Sequence, residues 1–230
     1  MPFHFRPRWP RTVARARVLQ EQLRSRVVLR GGPRRVRLIA GADLAYDSDG
    51  QRAWAAVVLV EPAEGRLVES VTASGVPPFP YVPGYLSFRE GPLIMAAFKR
   101  LRRRPDLCLF DGQGLAHPRR FGLACHLGVL LGLPSVGCAK SLLVGEYREP
   151  GVKRGDWSPL RLDGEQVGAT LRTREGVKPV FVSPGHRITV RQAIRWVLAV
   201  SRFRVSEPIR LAEQLVNQLK RESSHAHSHR

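Results

Sequence analysis

The chain has 230 residues, 43% of them hydrophobic, and carries 38 Lys and Arg against 19 Asp and Glu, for a formal net charge of +19. This hydrophobic content supports a buried core and excludes a wholly disordered chain, while the length fits one large or two small domains. The excess of base over acid, nearly all of it arginine, indicates a polyanionic partner such as nucleic acid rather than an incidentally basic surface.

Cysteine usage and hydropathy further limit the classes of protein to which the chain can belong. Cys108, Cys125 and Cys138 are odd in number and lack C-x-x-C spacing, so neither a disulfide framework nor a zinc site is expected, and a cytoplasmic protein is favoured. No apolar run approaches the ~20 residues of a membrane span. The Arg-rich segment Met1–Arg17 contains three prolines and lacks the serines of a transit peptide, so we interpret it as a basic N-terminal arm.

The first half of the chain predicts a helix and then strands. In chain order these are a helix over Arg11–Arg30 and strands over Val36–Tyr46, Trp54–Val60 and Arg66–Gly75. Turn pairs at Asp49-Gly50 and Glu64-Gly65 join the strands, which favours an antiparallel meander. Four prolines in the following stretch, from Val76 to Tyr85, prevent regular strand pairing and predict a stiff, projecting loop.

Strands and helices alternate in the second half. The first predicted elements are a helix through Leu93, Ala97 and Leu101 and a strand over Leu107–Phe110. A helix with Pro118 in its first turn and an apolar face of Leu123, Leu127, Leu130 and Leu131 follows, and then a strand over Ser135–Cys138. The rest of the chain predicts a loop or peripheral hairpin over Glu146–Glu165, strands over Val167–Arg172 and Pro179–Ser183, and helices marked by Ile194–Ser201 and Leu211–Leu219. We therefore expect one α/β domain over residues 1–222, followed by a disordered polar tail over 223–230.

Acidic residues are informative in a chain this basic. Asp43 interrupts an apolar strand, where aspartate is disfavoured, and Asp111 ends the strand Leu107–Phe110. Two carboxylates on strands of one sheet could converge on a divalent cation, as phosphoryl-transfer nucleases require. For Asp111 the alternative is a turn residue, because Asp-Gly is a frequent turn pair.

Glu90 and Lys140 each have two interpretations. Ser87 to Glu90 fits a capping box, which would give Glu90 a role only in starting a helix. Pro92 favours a different register, in which it is the first helical residue and Glu90 lies just outside, free to bind a ligand. Lys140 follows a buried strand, where it could hold a phosphate or simply be solvated. His117 and His186 lie in Gly/Pro turns and are interpreted as turn or hydrogen-bonding residues.

Taken in order, five segments between Ile39 and Glu213 resemble the endonuclease V family. They are Ile39–Asp43, Pro80–Glu90, Asp111–Arg120, Gly137–Ser141 and Lys178–Arg187. Any one could arise by chance, but the ordered set is highly specific. The resemblance implies an α/β, ribonuclease H-like fold with a mixed central sheet flanked by helices.

The resemblance also implies a metal-dependent site. Mg²⁺ is the expected cofactor, with Mn²⁺ able to substitute, and the implied metal-binding carboxylates are Asp43, Glu90 and Asp111. A fourth ligand would come from the last helix at Glu213, where family members have His or Asp, so this chain departs from the pattern. Lys140 is implied to contact the scissile phosphate or to support the nucleophilic water.

Substrate recognition is implied for the proline-rich loop and a neighbouring pocket. The segment Pro80-Tyr81-Val82-Pro83 would enter the duplex as a wedge, with the Tyr81 ring replacing part of the lost base stacking. The alternative is a structural turn whose aromatic residues pack inward. The base hypoxanthine would lie in a pocket near Gly84, Leu86, Gly112 and Gly122, read largely by backbone groups.

The activity implied is that of a DNA repair endonuclease. It would recognise deoxyinosine in single- or double-stranded DNA as a monomer and hydrolyse the second phosphodiester bond 3′ to the lesion, leaving 3′-hydroxyl and 5′-phosphate ends. The alternatives are an endoribonuclease for inosine-containing RNA, a non-catalytic nucleic-acid-binding protein, and a ribonuclease H or resolvase, which would not need the wedge. The presence of Asp43, Glu90 and Asp111 favours an enzyme.

Overall fold

The structure is a computed structural model that describes residues 9–228, so residues 1–8 of the predicted basic arm lie outside the described residues. In chain order the elements are α1 (Val13–Arg24), β1 (Ile39–Tyr46), β2 (Ala53–Glu61), β3 (Arg66–Gly75), α2 (Leu86–Phe98), β4 (Leu107–Phe110), α3 (Leu123–Leu131), β5 (Ser135–Ala139), β6 (Trp157–Leu162), β7 (Glu165–Leu171), β8 (Val180–His186), α4 (Val190–Ala199) and α5 (Glu207–Ser228).

The eight strands form a single mixed sheet in the order β3-β2-β1-β4-β5-β8-β7-β6. The first three strands pair antiparallel, as the predicted meander requires, and β1, β4 and β5 pair parallel. Beyond β5, strands β8, β7 and β6 are antiparallel again. The expected fold class, a mixed central sheet flanked by helices, is confirmed.

Helices cover both faces of this sheet. Cys108 and Phe110 of β4 pack on the side of α2 and α3, whereas Leu107 and Leu109 pack on the side of α4. Such alternation is what a strand buried on both faces requires. A ligand therefore reaches the central strands only at their ends.

The last helix crosses the sheet closely at β1. A β-carbon at Gly41 would lie 2.2 Å from the backbone of Pro208, so only glycine allows α5 to approach β1 at this point. This approach brings Glu213, which follows on α5, toward Asp43 on β1. Among residues 9–228, no helix is both long and apolar enough to cross a membrane.

Both predicted registers for the start of α2 are wrong. The helix begins at Leu86 after Tyr85, so Ser87 does not cap it, and Pro92 lies inside the helix. Proline has no N–H to donate to the carbonyl of Phe88 one turn earlier, a cost that is offset by burying Phe88 and the apolar face that follows it. Glu90 is consequently a helical residue.

The bounds of other elements can also be compared with the sequence prediction. Helix α3 begins at Leu123 rather than near Pro118, because Gly122 N–H bonds the Gly114 carbonyl and keeps the intervening segment irregular. The segment Glu146–Glu165, predicted as a loop or peripheral hairpin, contains β6, which makes a hairpin with β7. Helix α5 continues to Ser228, beyond Leu219, the last apolar residue that marked the predicted helix; extending an existing helix costs little compared with starting one.

Candidate active site

Two of the predicted carboxylates are brought together by the register of the parallel pair β1 and β4. Ala42 lies opposite Phe110, so the residues that follow them, Asp43 and Asp111, emerge side by side at the same end of the two strands. The Asp111 N–H bonds the carbonyl of Ala42 at 3.4 Å, which ties the end of β4 to β1. Asp43 lies within β1, which continues to Tyr46, and Asp111 directly follows β4, so neither carboxylate serves only a turn.

Glu90 approaches the same place from α2. Its Oε1 accepts a hydrogen bond from the hydroxyl of Tyr46, the last residue of β1, at 3.1 Å. The Arg89 guanidinium lies over the Tyr46 ring, 4.7 Å from its centroid. The helix and the strand are thus joined by side chains around the carboxylate of Glu90.

These carboxylates resist ionisation. Burial raises the pKa of Asp43 to about 7, and the charge of Asp111 adds to the effect. Burial raises the pKa of Glu90 to about 8, assisted by the charges of Asp43 and Asp111 and opposed by the hydrogen bond from Tyr46. The pKa of Asp111 is raised mainly by burial, while Lys140 opposes the shift. The three carboxylates are therefore close enough to repel each other.

Lys140, immediately after β5, lies between two acids. Its Nζ is 3.1 Å from Asp111 Oδ2 and 2.8 Å from Glu213 Oε1. Although burial disfavours its charge, the hydrogen bonds that Lys140 donates to Glu213 and Asp111 hold the pKa of Lys140 above its usual value. The structure thus brings Asp43, Glu90, Asp111, Lys140 and Glu213 to one site, with Glu213 bound to the lysine.

A shallow groove of about 420 Å³ opens over four of these five residues, and Glu90 is outside its lining. Its lining includes Asp43, Tyr46, Asp111, Lys140 and Glu213. Among the described residues, no three acidic, histidine or cysteine side chains form a ready-made metal-binding group. The donor set nevertheless fits a hard divalent cation, because clustered carboxylate oxygens with raised pKa values are relieved by a positive ion.

A second cavity of about 380 Å³ adjoins the groove and is lined by all four residues of the predicted base pocket. Its lining residues include Tyr81, Val82, Pro83, Gly84, Leu86, Gly112 and Gly122, together with Asp111 and Lys140. Of the residues predicted to bind substrate, Pro80 is outside this lining. Asp111 and Lys140 line both the cavity and the groove, and so connect them.

The proline-rich loop projects from an aromatic base. Tyr81 is 71% exposed at its tip, whereas Phe79 and Tyr85 on either side are buried and pack on Phe88. Arg89 donates to the carbonyls of Phe79 at 2.9 Å and Gly50 at 2.7 Å, which fixes the start of the loop. The inward-packing alternative holds for Phe79 and Tyr85, but Tyr81 points outward.

The predicted pocket glycines lie where the backbone is closely packed. Gly112 has φ +149°, a conformation that side chains rarely adopt, and a β-carbon at Gly122 would lie 2.4 Å from the carbonyl oxygen of Gln113. Both positions therefore require glycine for the local fold, and both also expose backbone to the cavity.

Sequence reasoning missed several residues of the site. Tyr46 and Arg89, which surround Glu90, were not singled out, and neither were Leu142 and Leu143, which are exposed on the cavity wall. The position of Arg89 next to Glu90 was the available signal for the first pair. The leucines follow Lys140 in a segment without regular pattern, so nothing in the sequence marked them.

Comparison with known proteins identifies relatives along most of the chain. The family model described as Endonuclease V matches residues 21–214. Endonuclease V of Roseiflexus sp. (strain RS-1) is 49% identical over 91% of this chain and 94% of its own, and that of Myxococcus xanthus is 48% identical over 95% and 94%.

Solved structures agree in fold. Endonuclease V from Streptomyces avermitilis superposes with a TM-score of 0.90 at 44% identity, covering 94% of this chain and 96% of that one. Endonuclease V of Ciona intestinalis, in complex with a 24mer DNA containing an inosine followed by a ribo-adenosine, gives a TM-score of 0.81 at 27% identity, covering 91% and 98%.

Proposed function

Because the chain belongs to the endonuclease V family, we propose that it is a DNA repair endonuclease that recognises deoxyinosine and hydrolyses the second phosphodiester bond on its 3′ side. The products would carry 3′-hydroxyl and 5′-phosphate ends, and the damaged base would stay in the strand. We further infer that it acts as a monomer in the cytoplasm, a reducing compartment suited to its three buried free cysteines.

The observation that carries this proposal is the connection between the cavity and the groove. The cavity presents the loop tip and glycine backbone, which suit a displaced base, and the groove presents clustered carboxylates, which suit phosphodiester hydrolysis. Asp111 and Lys140 line both. A strand whose base entered the cavity would therefore bring its backbone to the carboxylates.

We propose that Asp43, Glu90 and Asp111 hold Mg²⁺, for which Mn²⁺ would substitute, with Glu213 as a further oxygen donor. A divalent ion held there would supply the activation of water and the stabilisation of the leaving oxygen. Glu213 Oε1 accepts from Lys140 at 2.8 Å, so it can serve the ion only if that hydrogen bond is exchanged. Glu213 is the ligand whose replacement would weaken metal binding least.

Other residues of the chain would contact the phosphate, stiffen the loop and contact the base. The Lys140 ammonium would donate to a phosphate oxygen at the junction of cavity and groove. Pro80, Val82 and Pro83 would stiffen the loop that places Tyr81 against the unstacked neighbour of the lesion. Backbone groups at Gly84, Leu86, Gly112 and Gly122 would contact the base.

Metal binding is expected to depend steeply on pH. With pKa values of about 7 for Asp43 and about 8 for Glu90, both groups bind protons below pH 7 that a cation must displace. The apparent dissociation constant for Mn²⁺ should thus rise by roughly a hundredfold or more from pH 8 to pH 6. Calorimetric titration of EDTA-dialysed protein measures it. An affinity that is equal at both pH values would contradict this account of the carboxylates.

A ribonuclease is the second candidate, and one comparison bears on it. The nucleic acid in the Ciona intestinalis complex is DNA with an inosine followed by a ribo-adenosine, so that protein accommodates a ribose beside the lesion. Contacts to a 2′-hydroxyl decide between RNA and DNA at such a position. The two substrates must therefore be compared directly on this chain.

The proposal is tested by nicking labelled duplexes that contain one deoxyinosine in DNA or one inosine in RNA, with Mg²⁺ or with EDTA. Mg²⁺-dependent cutting of the deoxyinosine strand, and none of a matched adenosine strand, is the expected result. Preference for the RNA would identify the endoribonuclease. Cutting of a hybrid or junction without inosine would identify a ribonuclease H or resolvase, and tight binding without cutting would leave a binding protein.

A further inference from the structure

Three side chains converge on one carbonyl at the foot of the proline-rich loop. The Gly84 oxygen accepts hydrogen bonds from Gln20 Nε2 at 3.1 Å, His117 Nε2 at 3.0 Å and Arg119 Nη2 at 2.6 Å. Gln20 belongs to α1, and His117 and Arg119 belong to the segment between β4 and α3. We call Gln20, His117 and Arg119 the Gly84 clamp.

The clamp residues also fix one another. Arg119 Nε donates to Gln20 Oε1 at 2.7 Å, and the Arg119 backbone N–H donates to His117 Nδ1 at 3.1 Å. Because Nδ1 accepts, the ring proton of neutral His117 is on Nε2, where it can be donated to Gly84. The Arg119 guanidinium also lies 4.2 Å from the centroid of the Tyr85 ring.

Burial makes this arrangement stiff. Gln20 is 1% exposed and His117 is 4% exposed, so each would leave unsatisfied polar atoms if the contacts broke. Burial and the charge of Arg119 lower the pKa of His117 to about 4, so the ring stays neutral at ordinary pH. Gly84 has φ +80°, and a β-carbon there would lie 2.7 Å from Arg119 Nη2, so the residue at the focus must be glycine.

We propose that the Gly84 clamp positions the loop Pro80–Pro83 for strand separation. Gln20 and Arg119 lie outside the lining of the base cavity and are positioning residues only, whereas His117 also lines that cavity. The proposal rests on the proposed function. Gln20 lies one residue before the region matched by the family model, so that match assigns it no role.

Stiffness of the loop matters where bases must be unstacked. Separating a base pair beside the lesion costs a few kcal/mol, and a loop that yields would bend instead of displacing the pair. A single strand has no partner to displace, so loop stiffness matters little there. Loss of the clamp should therefore affect duplex substrates and leave single-stranded ones nearly unchanged.

The test compares Gln20→Met and Arg119→Lys with wild type on deoxyinosine DNA, single-stranded and duplex, under single-turnover conditions. Gln20→Met keeps the volume of the side chain but loses the hydrogen bonds to Gly84 and from Arg119. Arg119→Lys keeps the charge but removes the guanidinium that donates to Gly84 and Gln20 at the same time. Duplex cutting should fall about tenfold or more, and single-strand cutting should change by less than about twofold. Tyr81→Ala should show the same pattern, and Gln22→Met, on the exposed side of α1, should change neither rate.

Strand opening is measured separately, from the fluorescence of 2-aminopurine placed beside the deoxyinosine in the duplex. The clamp variants should bind with a smaller fluorescence increase than wild type. Equal losses on single-stranded and duplex substrates, or an unchanged fluorescence increase, would overturn the clamp proposal. Binding and opening of the duplex by wild type without any cutting would contradict the proposed nuclease function and leave the clamp supported.

Discussion

Replacing Asp43 by Asn is expected to slow cleavage of deoxyinosine DNA by roughly a thousandfold or more, because ion-mediated stabilisation of the transition state amounts to several kcal/mol. Asp43 lies within β1 beside Asp111, and both residues line the groove. Asparagine keeps the size of the side chain and removes the charge that a cation requires. Single-turnover rates of the purified variant measure the effect.

The same substitution should stabilise the metal-free protein at pH 8. The pKa of Asp43 is raised to about 7 by burial and by Asp111, so the folded state favours its protonated form. The stability that this group contributes is present below pH 4 and is lost as the pH rises through 7, so above pH 7 its charge destabilises the fold. Asparagine carries no charge at any pH.

Thermal unfolding in EDTA therefore completes the test, with Asp49→Asn as the control. Asp49 is exposed in the turn after β1, and its replacement should change neither the rate nor the melting temperature. A variant Asp43→Asn that cuts at the wild-type rate, or that melts below wild type in EDTA at pH 8, would contradict the assignment of Asp43 to a metal-binding cluster.

Replacing Lys140 by Met is expected to slow cleavage by about a hundredfold while binding of the lesion weakens much less. The ammonium lies at the junction of cavity and groove and is the group placed to neutralise a phosphate oxygen. Methionine keeps an unbranched side chain and removes the charge. Base contacts from Gly84, Leu86 and Gly112 remain, so affinity for deoxyinosine DNA in EDTA should be largely retained.

Lys153→Met is the matched control for this change, because Lys153 is exposed far along the chain and lines neither the cavity nor the groove. Single-turnover rates and filter-binding affinities separate the two effects. If Lys140→Met lost affinity and rate in equal proportion, Lys140 would serve substrate binding alone, and its proposed contact with the phosphate in the reaction would be wrong.

The sheet and the carboxylates on it could be predicted from the sequence because the patterns that mark them are local. Asp43 interrupts an apolar strand, and Asp111 follows one, so the parallel pairing of β1 with β4 was enough to bring them together. The meander was likewise marked by Asp-Gly and Glu-Gly turns. Buried strands with short turns leave few alternative arrangements.

The environment of Glu90 could not be predicted in the same way. The rules for helix capping and for proline in the first turn favour a helix start at Ser87 or at Pro92. Neither rule predicts a helix that begins earlier, buries Phe88 and contains Pro92 in its interior. The partner of Glu213 was also unpredictable, since Lys140 is 73 residues distant in sequence. The Gly84 clamp joins three parts of the chain by side-chain hydrogen bonds, for which sequence spacing gives no signal.

The central claim is that recognition of the base and hydrolysis of the backbone are coupled through one junction of cavity and groove. It is tested most directly by moving a single deoxyinosine stepwise along an end-labelled duplex and mapping the cut at nucleotide resolution. The account predicts that the cut moves with the lesion and stays at the second phosphodiester bond on its 3′ side. A cut whose position does not depend on the deoxyinosine would contradict it.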